Sequence, residues 1–457
     1  MLYGSIAVEW PDSIAYEQWA TAIADNGDIA HHAIYRTPGY PLFLSFFIYL
    51  LGHQATTGFL IIAAQQLLGI FSGIFLYLLL ETIFAPSIAL IAGIVFVSSP
   101  LQLFYANSVL TEALFTPLLF LDLWLFARIF KNNSIDNFRA KDFALIGFIS
   151  GLLTLTRPIG QLFLVSQILI GAIYYRGSRK YLINAALCML VFFALIFPWV
   201  QVNYHTYGFS SISQDLGLNM FHRVLDIDQP SLPEDLSDQE LKTIYTSALE
   251  RVRNNKAKVT YFTVYYQLIK QYHGPSYGAL EADRRMVKFA LEVVKTEPIN
   301  FLKITINNWI RNFLCPRKFE EFYIANDGVP YLISPHNIMP NGLFYSRPEY
   351  RSKTLRNFIF KYFKSLESFR ILYFWTFVYG VYKFSCNKKN RSLAGYSILF
   401  TILYFSGLTA IFNRSEDRFT VPFSGLIIGF AIYGLFELAQ CIREVKLIKY
   451  KDIPYGT

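Results

Sequence analysis

The sequence predicts an all-α polytopic membrane protein, a helical bundle with a loop region on its outer side. Hydrophobic residues make up 54% of the 457 residues, and the mean hydropathy is +0.34. Several apolar runs also reach the length of about 20 residues that a helix needs to cross a bilayer. The clearest of them is residues 58–80. A chain of this composition is an integral membrane protein.

The membrane spans follow from the apolar runs and their flanks. The predicted spans are residues 58–80, 87–106, 109–129, 142–156, 159–175, 182–202, 366–384, 394–412 and 419–440. If the segment that holds Asp12 lies outside, alternation places four Lys- and Arg-rich segments on the cytoplasmic side, where such loops prevail. They are "KNNSIDNFRAK", "RGSRK", "CNKKNR" and "IREVKLIKYK". A fifth inner loop, "ETIFAPS", carries no basic residue.

The spans divide the chain into five predicted parts. These are a first outer loop with juxtamembrane helices (1–57), a first set of membrane helices (58–202), a large outer region (203–365), C-terminal membrane helices (366–441) and a basic cytoplasmic tail (442–457). Within the outer region, residues 296–314 have apolar positions at helical spacing with polar residues between them. We expect this segment to lie at the membrane interface.

The N-terminal residues "MLYGSIAVEW" are too short to span the bilayer. They also lack the charged start of a signal peptide. Because the predicted topology requires Asp12 on the outer side, we expect that an opening membrane helix is either missing from this chain or supplied upstream of a misassigned start.

Cysteine spacing and charge exclude two classes of function. The four cysteines include no pair at metal-ligand spacing, so neither a disulfide framework nor a zinc knuckle is predicted. The net charge of +9 comes from short basic clusters between apolar runs, which is how membrane topology is encoded. No nucleic-acid partner is predicted.

The first outer loop carries the first candidate acid. A short helix after Pro11 places Asp12 and Tyr16, four residues apart, on one face. The turns "DNGD" and "YRTPGYP" then bend the chain before it enters the lipid. We expect this bend to hold the loop against the membrane with Arg36 at headgroup level. A helix N-cap is the alternative role for Asp12.

A second acid, Glu112, follows Thr111 between two consecutive spans. It is therefore predicted to emerge on the same side as Asp12. Two carboxylates at one wet face suit a general base and a metal or acceptor ligand. Ordinary capping chemistry at a helix start is the alternative for Glu112.

Four arginines are predicted on the outer face. Arg157, in "LTRP", lies between two apolar runs, where a charge is functional by default. Arg414 and Arg418 are four residues apart and share a helical face, although the two acids between them also offer simple neutralisation. Arginine binds phosphate with a rigid fork of donors. Together with Arg36, these residues predict a cluster for an anionic lipid headgroup.

Other polar residues carry weaker hypotheses. Asp122 sits in the middle of a span, where we expect a structural partner on a neighbouring helix, although a transporter also shows such acids. His31 and His32 have no second ligand pair and are interpreted as loop residues. Asn219, in "NMFHR", is a candidate for the outer part of a substrate cavity.

Six motifs in fixed order then give a family resemblance. They are "PDSIAY", "YRTPGYPLFL", "TEALF", "LTRP", "FPWVQVNYHTYG" and "NRSEDRFTVPFSGLIIGFAIYGL". The order of these motifs and their predicted side of the membrane resemble those of bacterial GT-C glycosyltransferases. The branch they resemble includes the aminoarabinose transferases and the protein O-mannosyltransferases. The resemblance covers most of residues 11–435, except for the outer region from about 226 to 356. It implies a GT-C-like helical bundle.

The resemblance also implies roles for individual residues. Asp12 would be the catalytic base and Glu112 the second acid, with a divalent metal ion held between them as an option that no ligand spacing demands. The remaining candidates comprise donor-phosphate ligands (Arg157, Arg418, Arg414, Arg36) and residues of the substrate cavity (Tyr16, Tyr35, Asn219).

The implied reaction is an inverting transfer of a sugar from a polyprenyl-phosphate donor to a lipid, glycan or protein acceptor. The implied location is the inner (plasma) membrane of a bacterium, with the active site facing the periplasm or exterior. Two alternatives stay open at this point: a lipid-linked oligosaccharide polymerase or ligase, and a transporter of an anionic lipid or solute.

Overall fold

The computed structural model describes residues 11–30, 34–130, 138–176, 178–227, 232, 237–253, 275–314, 370–387, 392–412 and 417–451. This part of the chain is helical and contains no strand. Its helices are α1 Pro11–Asn26, α2 Gly39–Leu51, α3 Ala55–Leu80, α4 Pro86–Ser98, α5 Pro100–Ala106, α6 Glu112–Phe130, α7 Ala140–Thr156, α8 Phe163–Tyr174, α9 Arg179–Tyr207, α10 Leu216–Val224, α11 Gln239–Arg253, α12 Pro275–Thr296, α13 Pro298–Leu314, α14 Arg370–Cys386, α15 Leu393–Phe412 and α16 Asp417–Lys451.

The predicted all-α membrane fold is confirmed. Among the described residues, five helices are long and apolar enough to cross a bilayer: α3, α6, α9, α15 and α16. The long apolar runs thus form helices close to their predicted limits. The predicted run 87–106 differs, because it forms two helices that break at Ser99. Ser99 has extended backbone angles and its hydroxyl accepts from the Gln102 amide, since a residue before proline disfavours the helical conformation.

The amphipathic helix α13 corresponds to the segment expected at the interface. Trp309 Nε1 donates to Ser406 Oγ (2.9 Å) and Asn312 Nδ2 donates to Thr409 Oγ1 (3.1 Å), so one face lies along the second half of α15. Ile299 and Leu302, nearer the start of α13, are exposed. The interfacial position itself remains a prediction.

Separate apolar cores hold the bundle and helices α10, α11 and α12, which we name the outer helices after the outer region predicted from the sequence. One membrane core joins α3, α4, α6, α14, α15 and α16, and another joins α6, α7 and α9. Small residues let α14 and α16 approach closely: a Cβ on Gly380 would lie 2.0 Å from the Phe430 carbonyl oxygen. The outer helices α10, α11 and α12 bury their own cluster around Phe221, Tyr245 and Phe289.

Asp122 joins three membrane helices. It lies on α6 with a fully buried side chain. Ser150 Oγ of α7 donates to its Oδ1 (2.5 Å), and Gln167 Nε2 of α8 donates to its Oδ2 (3.0 Å). These contacts agree with the expected structural role.

Replacing Asp122 by Ala is expected to destabilise the bundle, because the Ser150 hydroxyl and Gln167 amide would lose their buried acceptor. The cost is about 1–3 kcal/mol, the usual penalty for an unsatisfied buried polar group. Asp122→Asn keeps an acceptor oxygen and should cost less. Thermal unfolding in detergent measures both; equal losses, or none, would contradict a hydrogen-bonded joint.

Candidate active site at one end of the bundle

A cavity of about 610 Å³ opens where several membrane helices terminate. This volume lies within the range of about 300–1,000 Å³ that is typical of small-molecule sites. Helices α7 and α15 end at the cavity, while α6, α8 and α16 begin there. Its charged and polar lining comprises Asp12, Tyr16, Tyr35, Arg36, Thr37, Thr111, Thr156, Arg157, Gln161, Ser213, Gln214, Asp215, Asn219, His222 and Tyr404.

The first charged pair in the cavity is Asp12 with Arg36. Arg36 Nη2 donates to Asp12 Oδ1 at 2.9 Å, and the two side chains are 8% and 28% exposed. The guanidinium carbon lies 4.3 Å from the ring centroid of Tyr16 and 5.2 Å from that of Tyr35, so cation–π contacts add to the pairing. Asp12 also lies in the first turn of α1, where the helix dipole favours a negative charge.

The Arg36 side chain lies in the cavity wall, and its predicted position at headgroup level remains a prediction. Its side chain turns inward because Asp12 and two aromatic rings offer the guanidinium a buried environment with compensating charge. The bend in "YRTPGYP" brings Arg36 into the cavity wall.

The second charged pair is Glu112 with Arg157. Arg157 Nη1 donates to Glu112 Oε1 at 2.9 Å, and Thr111 Oγ1 donates to Glu112 Oε2 at 3.3 Å. The Glu112 side chain is 0% exposed and that of Arg157 is 11% exposed. The Arg157 guanidinium carbon also lies 5.5 Å from the ring centroid of Phe115 and from that of Phe419. Glu112 thus lies behind Arg157, holds it in place and does not itself line the cavity.

A hydrogen bond from a side chain to the backbone joins the two segments that carry the charged pairs. Thr37, next to Arg36, donates its hydroxyl to the carbonyl oxygen of Thr156 at 3.0 Å, and Thr156 precedes Arg157. Two residues further along, a Cβ on Gly39 would lie only 2.7 Å from the Leu155 carbonyl oxygen. Only glycine allows the start of α2 to approach the end of α7 this closely.

The third wall comes from the loop 213–215 and helix α10. The Gln214 amide donates to the Ile34 carbonyl oxygen at 2.8 Å. Asp283 of α12 accepts from Gln214 Nε2 (2.9 Å) and from the Leu218 amide (3.0 Å). The outer helices therefore hold this loop against the segment that carries Arg36.

Helix α10 is anchored by a fully buried arginine. Arg223 Nε donates to the Ile411 carbonyl oxygen of α15 (3.3 Å), and Nη1 donates to Asp226 Oδ2. The Asn308 amide, with its oxygen turned towards the guanidinium, accepts from Nη1 (2.8 Å) and Nη2 (3.0 Å). The motif "NMFHR" thus places Asn219 in the cavity and uses Arg223 to fasten that wall to α13 and α15.

The structure brings most of the proposed site residues together, but not all. Asp12, Tyr16, Tyr35, Arg36 and Arg157 share the cavity wall, as does Asn219. Arg414 lies outside the described residues, as do His31 and His32. Arg418 belongs to the first turn of α16 beside Phe419, which lines the cavity, but its side chain lies outside the described part. The roles assigned to these residues remain predictions.

Sequence reasoning missed Asp215, which also lines the cavity. Burial and the nearby negative charge of Asp283 raise the pKa of Asp215 to about 6, although hydrogen bonds from Asn219 and Ser213 partly oppose the shift. In the sequence "QDLGLN" an acid before a helix indicates an N-cap, so no local pattern distinguishes Asp215 from a capping residue.

A divalent metal between Asp12 and Glu112 does not fit this geometry. Each carboxylate already contacts a guanidinium group, whose positive charge would repel a cation at the same oxygen. Within the described ranges, no three His, Cys, Asp or Glu side chains form a group that could hold a metal ion. No step of the reaction below depends on a metal.

A family model agrees with the resemblance found in the motifs. Residues 35–201 match the model described as dolichyl-phosphate-mannose-protein mannosyltransferase. The matched range contains Arg36, Glu112 and Arg157 and covers less than half of the chain. The resemblance to polyprenyl-phosphate-dependent GT-C glycosyltransferases is thus confirmed. No curated protein sequence matches the chain significantly.

Solved structures with a similar arrangement come from an archaeon and a bacterium. The oligosaccharyltransferase AglB from Archaeoglobus fulgidus, in complex with an inhibitory peptide and a dolichol-phosphate, has 11% identity and a TM-score of 0.46 over 99% of this chain. The chain spans 49% of the length of AglB. ArnT from Cupriavidus metallidurans, bound to undecaprenyl phosphate, has 14% identity and a TM-score of 0.38, with 94% of this chain and 73% of ArnT covered.

The raised pKa of Asp215 predicts a pH-dependent contribution to stability. Because the folded state favours the protonated carboxyl, this contribution is complete below about pH 4. It is lost as the pH rises through about 6. Asp215→Asn mimics the neutral form, so its melting temperature in detergent should rise relative to the wild type between pH 4 and 7. A difference that stays constant over this range would contradict the shifted pKa.

Proposed function

We propose that the protein is a membrane glycosyltransferase that moves a sugar from a polyprenyl-phosphate donor to a lipid, glycan or protein acceptor of the cell envelope. One observation carries the proposal: two arginine–carboxylate pairs line or back one cavity at the end of the membrane helices. The family match over residues 35–201 supports the same chemistry. We assign the active site to the outer side, as the basic loops predict.

The two arginines suit the phosphate of the donor. A guanidinium group has five N–H donors in a rigid fork, so one bond to a carboxylate leaves others for phosphate oxygens. Arg36 and Arg157 line the same cavity, and each is the sequence neighbour of one partner in the hydrogen bond between Thr37 and Thr156. A polyprenyl phosphate anchored in the membrane would therefore present its headgroup to two preorganised cations, with Arg418 and Arg414 as further candidates.

The proposed chemistry is a single displacement. The acceptor hydroxyl or amine attacks the anomeric carbon, its proton passes to the Asp12 carboxylate, and the bond between that carbon and the phosphate oxygen breaks. Attack opposite to the leaving group inverts the configuration. Polyprenyl phosphate departs with one more negative charge than it carried in the donor. Arg36 and Arg157 therefore stabilise the transition state more than the ground state.

Glu112 serves this reaction indirectly in our proposal. Its buried carboxylate fixes one edge of the Arg157 guanidinium, so it acts as a positioning residue. This interpretation replaces the earlier expectation of a second acid that touches the substrate or a metal.

Asp12→Asn is expected to abolish transfer, because the amide cannot take the acceptor proton. The measurement is mass spectrometry of envelope glycans, lipids and glycoproteins from cells with the wild-type protein, with the variant or with no protein. Asp25→Asn is the matched control. Asp25 lies at the other end of α1, is 46% exposed and pairs with His53. Cells with Asp25→Asn should therefore still make the glycosylated product.

The pattern of products distinguishes the alternatives. A single added sugar supports the proposal, and an added chain would indicate a polymerase or ligase instead. Product formed by purified protein in detergent excludes a transporter, since detergent offers no two sides to cross. Full transfer by Asp12→Asn would remove Asp12 from the role of base.

Arg157→Ala should weaken the binding of undecaprenyl phosphate in detergent by about 10- to 100-fold. Hydrogen bonds to charged groups contribute about 1.5–3 kcal/mol, and each 1.4 kcal/mol is about tenfold in affinity. Binding of uncharged undecaprenol should not change. Arg128→Ala is the matched control, because Arg128 lies in the last turn of α6, at the end away from Glu112, and stacks on Trp124. Equal losses in both variants would contradict a phosphate site at Arg157.

A further inference from the structure

Asp215 does not do what its position in the sequence suggests. It directly precedes α10, where an aspartate usually caps the free amides of the first turn. In the structure its side chain makes no capping hydrogen bond. The Leu218 amide is instead satisfied by the carboxylate of Asp283, from α12. The N-terminus of α10 therefore does not require the carboxylate of Asp215.

The Asp215 carboxylate belongs to the cavity wall instead. Asn219 Nδ2 donates to its Oδ2 at 3.2 Å, and Ser213 Oγ lies 3.5 Å from its Oδ1. Asn219 and His222 follow it at helical spacing, and all three line the cavity. This polar stripe faces the same space as Asp12 and Arg36, but it is carried by the outer helices rather than by the membrane bundle.

The environment of Asp215 differs from that of the other two acids. Asp12 and Glu112 each contact an arginine. The hydrogen-bond partners of Asp215 are an amide and a hydroxyl. Its pKa of about 6 keeps it ionised at neutral pH and more basic than an ordinary aspartate.

We propose that Asp215 binds the acceptor, accepting a hydrogen bond from a hydroxyl or amine beside the attacking group and aiming that group across the cavity at the donor. This inference rests on the proposed function and deepens it. The donor phosphate is held by arginines of the membrane bundle, and the acceptor is held by the wall that the outer helices supply. Asn219 acts as a positioning residue for the Asp215 carboxylate.

The test uses native membrane vesicles, which supply donor and acceptor, and follows product by mass spectrometry from pH 5 to 8. Asp215→Asn should lower the rate at pH 7.5 at least tenfold. In the wild type the rate should rise with pH through about 6, since the ionised carboxylate accepts this bond more strongly than a protonated carboxyl or a neutral amide. That rise should be missing in Asp215→Asn.

Binding of undecaprenyl phosphate distinguishes an effect on the donor site from an effect on the acceptor site. Asp215→Asn should bind this lipid within about twofold of the wild type, which also shows that the variant is folded. Glu281→Gln, an acid-to-amide change on α12 away from the cavity lining, should keep both binding and transfer. The glycosidic linkage in the product identifies the attacking group as a hydroxyl or an amine.

Other titratable groups of the cavity provide the decisive controls. They are Asp12, Tyr16, Tyr35, Arg36, Arg157, His222 and Tyr404, with Asp283 behind the loop. If the rise in rate persists in Asp215→Asn and disappears in His222→Gln, the assignment to Asp215 is wrong. The assignment is also wrong if Asp215→Asn transfers sugar at the wild-type rate, or if it no longer binds undecaprenyl phosphate. Failure of the proposed function would appear instead as the absence of single-sugar transfer by the wild-type protein.

Discussion

Charge compensation at the end of a membrane bundle is the constraint on which this site depends. Arg36 and Arg157 are only 8% and 11% exposed, and a guanidinium group at such burial persists only with a compensating partner. Each has a carboxylate at 2.9 Å and aromatic rings beside it. These partners fix both cations before any ligand arrives, which is the preorganisation that stabilises developing negative charge.

The scaffold converts two separate pairs into one site through very few contacts. The hydroxyl of Thr37 reaches the carbonyl of Thr156, and Gly39 lets α2 lie against the end of α7. A bulkier residue at Gly39 would separate Arg36 from Arg157 without touching either. The site is therefore sensitive to packing at positions that carry no charge.

The cavity also joins two structural units with different cores. Arg36 precedes α2 and Arg157 follows α7, whereas α10, with α11 and α12 behind it, supplies the wall that carries Asp215. Asp283 and Arg223 fasten that wall, one through the loop 213–215 and the other through α13 and α15. In the proposed reaction this division lets a lipid-anchored donor enter from the bundle while the acceptor meets the outer helices. Changes in the outer helices would then alter the acceptor without disturbing the phosphate site.

The helical elements and their apolar faces were predictable from the sequence. Apolar length and proline positions placed the membrane helices, and four-residue spacing placed Asp12 and Tyr16 on one face of α1. Three features depend on tertiary packing. Arg36 turns into the cavity wall, and Glu112 contacts Arg157, 45 residues away in the sequence. Asp215 lines the cavity, while Asp283 of α12 accepts from the amide of Leu218 at the start of α10. The physical reason is that periodicity reports which face of a helix is apolar. Which distant side chain meets that face depends on the rotation and packing of helices against one another.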